Sequence, residues 1–149
     1  MAPNVTRSAA NDLTVNEGTT HTYTCSVTDP GVDTFSVVST DCGLNGSQVG
    51  LTSTTLSGGS FDCLFPDGPA SSTVSVQVKD SDNANSNTAS QAVSVLNVAP
   101  SVTPSAATDL TVTEGTTHTY TLRVTDPGLD TFSVANPDCD TKTATANMD

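Results

Sequence analysis

Thr19-Thr20-His21-Thr22-Tyr23-Thr24-Cys25-Ser26-Val27-Thr28 alternates along its length, with Tyr23, Cys25 and Val27 on one side of a period of two and Thr22, Thr24 and Ser26 on the other. An extended chain sends successive side chains to opposite faces, so this stretch predicts a strand with one face inward and its hydroxyls toward water. The same pattern returns 97 positions later as Thr116-Thr117-His118-Thr119-Tyr120-Thr121-Leu122-Arg123-Val124-Thr125.

Residues 12–42 align with 109–139 and differ only at positions 16, 25, 26, 32, 38, 39 and 40, so 24 of 31 are identical. The match reaches back to Ala2-Pro3-Asn4-Val5-Thr6, which aligns with Ala99-Pro100-Ser101-Val102-Thr103. Self-similarity at one fixed shift marks a tandem repeat. Residues 1–98 are expected to form one complete unit, and residues 99–149 the N-terminal half of a second. After Cys139 the chain does not resemble the stretch beginning Gly43-Leu44-Asn45-Gly46. Met1 is followed by neither a basic stretch nor an apolar core, so the chain reads as excised from a longer precursor.

Further strand signals punctuate the first unit. Asp29-Pro30-Gly31 makes a turn, after which Phe35 and Val37 point inward; Phe61, Cys63 and Phe65 mark another strand, closed by Pro66-Asp67-Gly68-Pro69. Val74, Val76 and Val78 mark the next, Val93 and Val95 the last, with further strands from Val5, at 13–15 and across 48–56. The chain is rich in Thr, Ser, Val, Asp and Asn, and β-branched residues suit a pleated surface better than a helix. About seven short strands in one repeat predict an all-β, immunoglobulin-like Greek-key β-sandwich followed by an incomplete second copy.

The order of these signals, with Glu17-Gly18 early, Asp29-Pro30-Gly31 after the second strand and Asn97-Val98-Ala99-Pro100 at the exit, resembles the PKD-like or bacterial Ig-like tandem repeats of large extracellular, adhesin-type surface proteins. The resemblance implies a secreted or cell-surface location and a stalk, spacer or adhesive role.

Charge narrows the partners. Four Lys+Arg against 16 Asp+Glu give a net charge of −12, which repels nucleic acid and anionic lipid alike. No apolar run is long enough to span a membrane as a helix. Catalysis has little support: no Gly-x-Ser-x-Gly, P-loop or metalloprotease motif occurs, and His21 and His118 read as strand-edge polar residues, so the chain is expected not to be an enzyme. Glycan binding is disfavoured because there is no Trp and Tyr23 lies on the inward stripe. Asn4-Val5-Thr6 and Asn45-Gly46-Ser47 match the glycosylation sequon.

Cys42 recurs as Cys139, whereas Cys25 is replaced by Leu122. The simplest pairing is Cys42 with Cys63, leaving Cys25 as a buried free thiol and Cys139 free or paired between chains. Zinc is disfavoured because no Cys-x-x-Cys spacing exists.

Oxygen-rich turns suggest calcium, with no cofactor required for folding. In a sandwich, Asp29 and Asp33 are expected to converge with Asp80, Asp82 and Asn83, although a plain polar hairpin explains the same residues. A second set, Glu17 and Asn97 of the first unit with Asp126 and Asp130 of the second, faces across the short linker. The half repeat is expected to expose Leu110, Val112, Tyr120, Leu122, Val124, Phe132 and Val134, and so to favour neighbouring repeats or identical chains as partners, in a homo-oligomer or fibre. The readings that remain open are a structural and adhesive repeat, a filament subunit, and a glycan- or protein-binding module appended to a secreted enzyme.

Overall fold

The computed structural model describes residues 1–105 and 109–139. Ten strands run in chain order: β1 (Asn4–Arg7), β2 (Thr14–Asn16), β3 (Thr19–Thr28), β4 (Phe35–Asp41), β5 (Ser47–Thr55), β6 (Gly58–Phe65), β7 (Ala70–Asp80), β8 (Ala89–Leu96), β9 (Ser101–Pro104) and β10 (Leu122–Thr125). The first eight form two four-stranded sheets, ordered β1-β3-β6-β5 and β2-β8-β7-β4. That division of strands is the immunoglobulin-like sandwich.

Eight strands stand where about seven are expected, because the N-terminal segment divides between the sheets. β1 pairs antiparallel with β3, setting Val5 opposite Val27, and β2 then crosses to lie parallel to β8, setting Val15 opposite Val95. Arg7 anchors this crossing by donating from a guanidinium nitrogen to the Ser90 carbonyl across the sandwich at 2.6 Å.

Period-two alternation supplies the core. β8 buries Ala89, Gln91, Val93 and Val95 and exposes the residues between, while β7 buries Val74, Val76 and Val78. From the other sheet come Val5, Tyr23, Val27, Phe61, Cys63 and Phe65. Tyr23 lies opposite Phe61 in the register, with ring centroids 6.0 Å apart, and Phe65 stands edge-on to Tyr23 at 6.2 Å. Just beyond the end of β4, Cys42 is joined by a disulfide to Cys63 of β6, with Cα atoms 5.6 Å apart, and so ties one sheet to the other.

The second copy is expected to be the N-terminal half of a sandwich. Among the described residues it has only β9 and β10, paired antiparallel as β1 pairs with the end of β3. The reason lies in the register. The stretches matching β2, β4 and the start of β3 pair in the first copy with β8, β7 and β6, and the counterparts of those three strands fall beyond residue 149. Leu110, Val112, Tyr120 and Leu122 are exposed, while Val124, Phe132 and Val134 are half-buried rather than bare.

Candidate functional site

Two groups of three carboxylates stand out among the described residues, and in each group the ligand oxygens lie within 4.8 Å of one another. The first gathers Asp29, Asp33 and Asp80. Asp29 opens the turn after β3, where its Oδ1 accepts the Gly31 amide at 2.7 Å; Asp33 closes that turn and accepts the Ser81 hydroxyl at 2.7 Å. Asp80 ends β7 opposite Phe35 at the start of β4, which carries a buried carboxylate to the same end of the sandwich.

Asp82, expected in this group, does not join it, and Asn83 Oδ1 instead faces the Lys79 ammonium at 3.4 Å. The chain reverses immediately after Asp80: its Oδ1 accepts the Ala84 amide at 2.8 Å, its carbonyl accepts the Asn83 amide at 3.2 Å, and Asn83 takes a positive φ of 66°. Asp82 and Asn83 are thereby carried out into solvent.

The second group gathers Glu17, Asp126 and Asp130 across the unit boundary. Glu17 follows β2 and is fully buried, its Oε2 accepting the Gly68 amide at 2.7 Å and its Oε1 the Val98 amide at 2.6 Å. Two backbone donors thus fix the carboxylate against the exit of its own unit. Asn97, expected as a ligand here, is exposed, and the backbone amide of its neighbour Val98 donates to Glu17.

The turn at 126–130 repeats the turn at 29–33. Gly128 donates to Asp126 Oδ1 at 2.7 Å, as Gly31 does to Asp29. In both turns the second oxygen of the leading aspartate, Oδ2 of Asp29 and Oδ2 of Asp126, is buried without a hydrogen-bond partner. A buried acceptor without a donor is costly, and a cation would satisfy it. Burial, together with the neighbouring carboxylates of Glu17, Asp126 and Asp67, pushes the Asp130 carboxyl above its usual range. Oxygen-only ligands of this kind suit a hard divalent cation such as calcium.

Contacts that sequence reasoning missed close the boundary. A Cβ on Gly18 would sit 2.2 Å from the Pro127 carbonyl oxygen, and one on Gly128 would sit 2.5 Å from the Glu17 carboxyl carbon. Both glycines are visible in the repeat, but nothing local distinguishes them from ordinary turn glycines.

His21 and His118 sit in matching networks. His21 Nδ1 is 2.8 Å from Asp12 Oδ2 and its Nε2 is 2.9 Å from Thr19 Oγ1, and His118 has Asp109 and Thr116 in the same places. The wiring is that of an Asp-His-hydroxyl triad, yet Thr19 donates its proton to the Asn16 carbonyl and therefore faces the imidazole as an acceptor. A base-activated nucleophile needs the opposite polarity. Cys25 is free but half-buried rather than buried, and burial pushes its thiol up; Cys139 is free and exposed.

No protein-family model matches the chain, and no curated protein matches it. Among solved structures it is similar to the PKD domain of an M14-like peptidase from Thermoplasmatales archaeon SCGC AB-540-F20, with a TM-score of 0.45 and 25% identity over 63% of this chain and 92% of that one. No helix among the described residues is long and apolar enough to cross a membrane.

Proposed function

We propose that this chain is a non-catalytic structural and adhesive repeat of a secreted or cell-surface protein, a spacer whose units are joined end to end through a carboxylate junction that calcium stiffens. The observation that carries the reading is the seating of the 126–130 turn of the second copy on Glu17 and Gly18 of the first. A linker that short, with Pro100 in it, already limits bending, and a cation held by both units would lock the remaining angle. The Cys42–Cys63 disulfide suits an oxidising, extracellular compartment.

Thermal unfolding and small-angle scattering with calcium and with chelator test this. Calcium at about a hundred times its dissociation constant stabilises a native site by about 2.7 kcal/mol. The expected result is a rise in melting temperature and a narrower distribution of inter-unit angles, both lost in Asp126→Asn/Asp130→Asn. Identical curves in calcium and chelator would refute the metal-stiffened junction.

A second reading, self-association of identical chains through the second copy, is favoured by Leu110 and Tyr120, which are 95% and 53% exposed. A second copy of the chain is the occupant this reading names, and sedimentation of Leu110→Asp beside the parent chain separates the two readings.

A further inference from the structure

The junction is made from two turns, and the repeat supplies each of them twice. One is the Glu-Gly turn, Glu17-Gly18 in the first copy and Glu114-Gly115 in the second; the other is the Asp-Pro-Gly-Xaa-Asp turn at 29–33 and again at 126–130. Within the chain, Glu17-Gly18 is mated with the turn at 126–130. Among the described residues the remaining two turns are unmated.

The unmated turn at 29–33 is already in its docking form. It holds the same internal hydrogen bond at the same 2.7 Å and the same buried, unpartnered Oδ2 as its mated twin. What differs is cover: Gly128 is half-buried against the Glu17 carboxylate, whereas Gly31 is exposed and Val32 beside it is fully exposed.

We infer that the turn at 29–33, backed by Asp80, is a docking face for the Glu17-Gly18 end of another complete unit identical to residues 2–98. The inference rests on the reading of the 126–130 turn as a genuine junction. Among the described residues Glu114-Gly115 does not take that part. Glu17 is presented by the Gly68 and Val98 amides, which hold both of its oxygens. Gly115 has the left-handed φ of Gly18 yet meets nothing within 4 Å. A mate with a glutamate held in that way carries its own β6–β7 connection and its own exit strand. Once docked, its glutamate joins Asp29, Asp33 and Asp80, making a four-carboxylate site shared between units. Four carboxylates on one ion fit the oxygen-rich coordination of calcium.

The test is the full chain with a second copy of residues 2–98 inserted ahead of Ala2, followed by amide hydrogen exchange at Gly31 and Gly128 in calcium and in chelator. The expected result is that exchange at Gly31 slows at least about tenfold relative to the parent chain and approaches that of Gly128, since docking removes the turn from solvent. In calcium this protection should weaken when the inserted copy carries Glu17→Gln. Gly31 exchanging as fast as in the parent chain while Gly128 stays protected would overturn this inference alone. Fast exchange at both glycines would overturn the junction reading with it.

Discussion

Glu17 and Gly128 meet across the unit boundary: a Cβ on Gly128 would lie 2.5 Å from the Glu17 carboxyl carbon, and that carboxylate is pinned from behind by the amides of Gly68 and Val98. Because the side chain is held at both oxygens it cannot swing away. Gly128→Ala is therefore expected to undock the second copy while shifting the stability of the first sandwich by less than about 0.5 kcal/mol, as a change outside its core should. Small-angle scattering reads the first effect and denaturant unfolding the second. An unchanged scattering profile would refute the packing argument.

Asp130 carries a pH dependence of unusual sign. Its carboxyl is pushed up by burial and by Glu17, Asp126 and Asp67, so the ionised form costs the docked state, fully above the raised value and not at all below the ordinary range of about pH 4. In chelator, docking should tighten as pH falls toward that range. In calcium the direction should reverse, because protons then compete with the ion. Scattering across the pH series checks both limbs, and Asp130→Asn should flatten the first.

The disulfide closes a loop with a sequence separation of 21 between two sheets whose core contains no Trp. Replacing both partners, Cys42→Ser with Cys63→Ser, is expected to lower stability by about 3 kcal/mol in the chain-entropy picture. Denaturant melts of the oxidised parent and the double variant measure this directly.

The two free thiols should differ in reactivity. Cys25 is half-buried with its thiol pushed up, whereas Cys139 is exposed. Alkylation is expected to be at least about tenfold faster at Cys139, since reaction needs an accessible thiolate. Mass spectrometry of a short labelling time course resolves the two sites, and equal rates would contradict the described packing around Cys25.

Tyr23 offers a contrast within the core. Its ring packs against Phe61 and Phe65, but its hydroxyl is buried without a hydrogen-bond partner, and burial with the charge of Asp12 pushes the phenol up to about 12. Tyr23→Phe removes an unsatisfied polar group and keeps the ring, so it should be neutral or stabilising, whereas Phe61→Ala should cost about 3–5 kcal/mol. A large loss on Tyr23→Phe would mean that the hydroxyl has a partner after all.

The sandwich was legible because alternation at Tyr23, Cys25 and Val27, and again at Phe61, Cys63 and Phe65, reports a face directly, and a period of two survives without knowledge of the partner strand. The pairing of Cys42 with Cys63 was legible from the repeat. The division of the N-terminal segment was not, because a run as short as Thr14–Asn16 carries no signal for which sheet it joins, and it is the ladder with β8 that sets Val15 beside Val95. The carboxylate groups were half legible. Asp29, Asp33, Asp126 and Asp130 follow from turn chemistry, but the backbone reversal after Asp80 that turns Asp82 and Asn83 toward solvent, and the hold of the Val98 amide on Glu17, leave no mark in a single sequence. In the second copy, alternation alone promised strands that lack ladder partners, since periodicity states a preference and hydrogen-bonded neighbours make the strand.

The parallel pairing of β2 with β8 has a mechanical consequence. The two strands lie near opposite ends of the first unit in sequence yet run side by side, with the Ser94 amide donating to the Leu13 carbonyl at 2.8 Å and the Glu17 amide to the Leu96 carbonyl at 3.0 Å. Tension applied through the two ends of the unit would pull these strands past each other lengthwise, loading their bonds together rather than peeling them one by one. Should that clamp give way, the cross-link at Cys42 and Cys63 would hold the segment between them out of the extending chain and shorten the slack released by each unit.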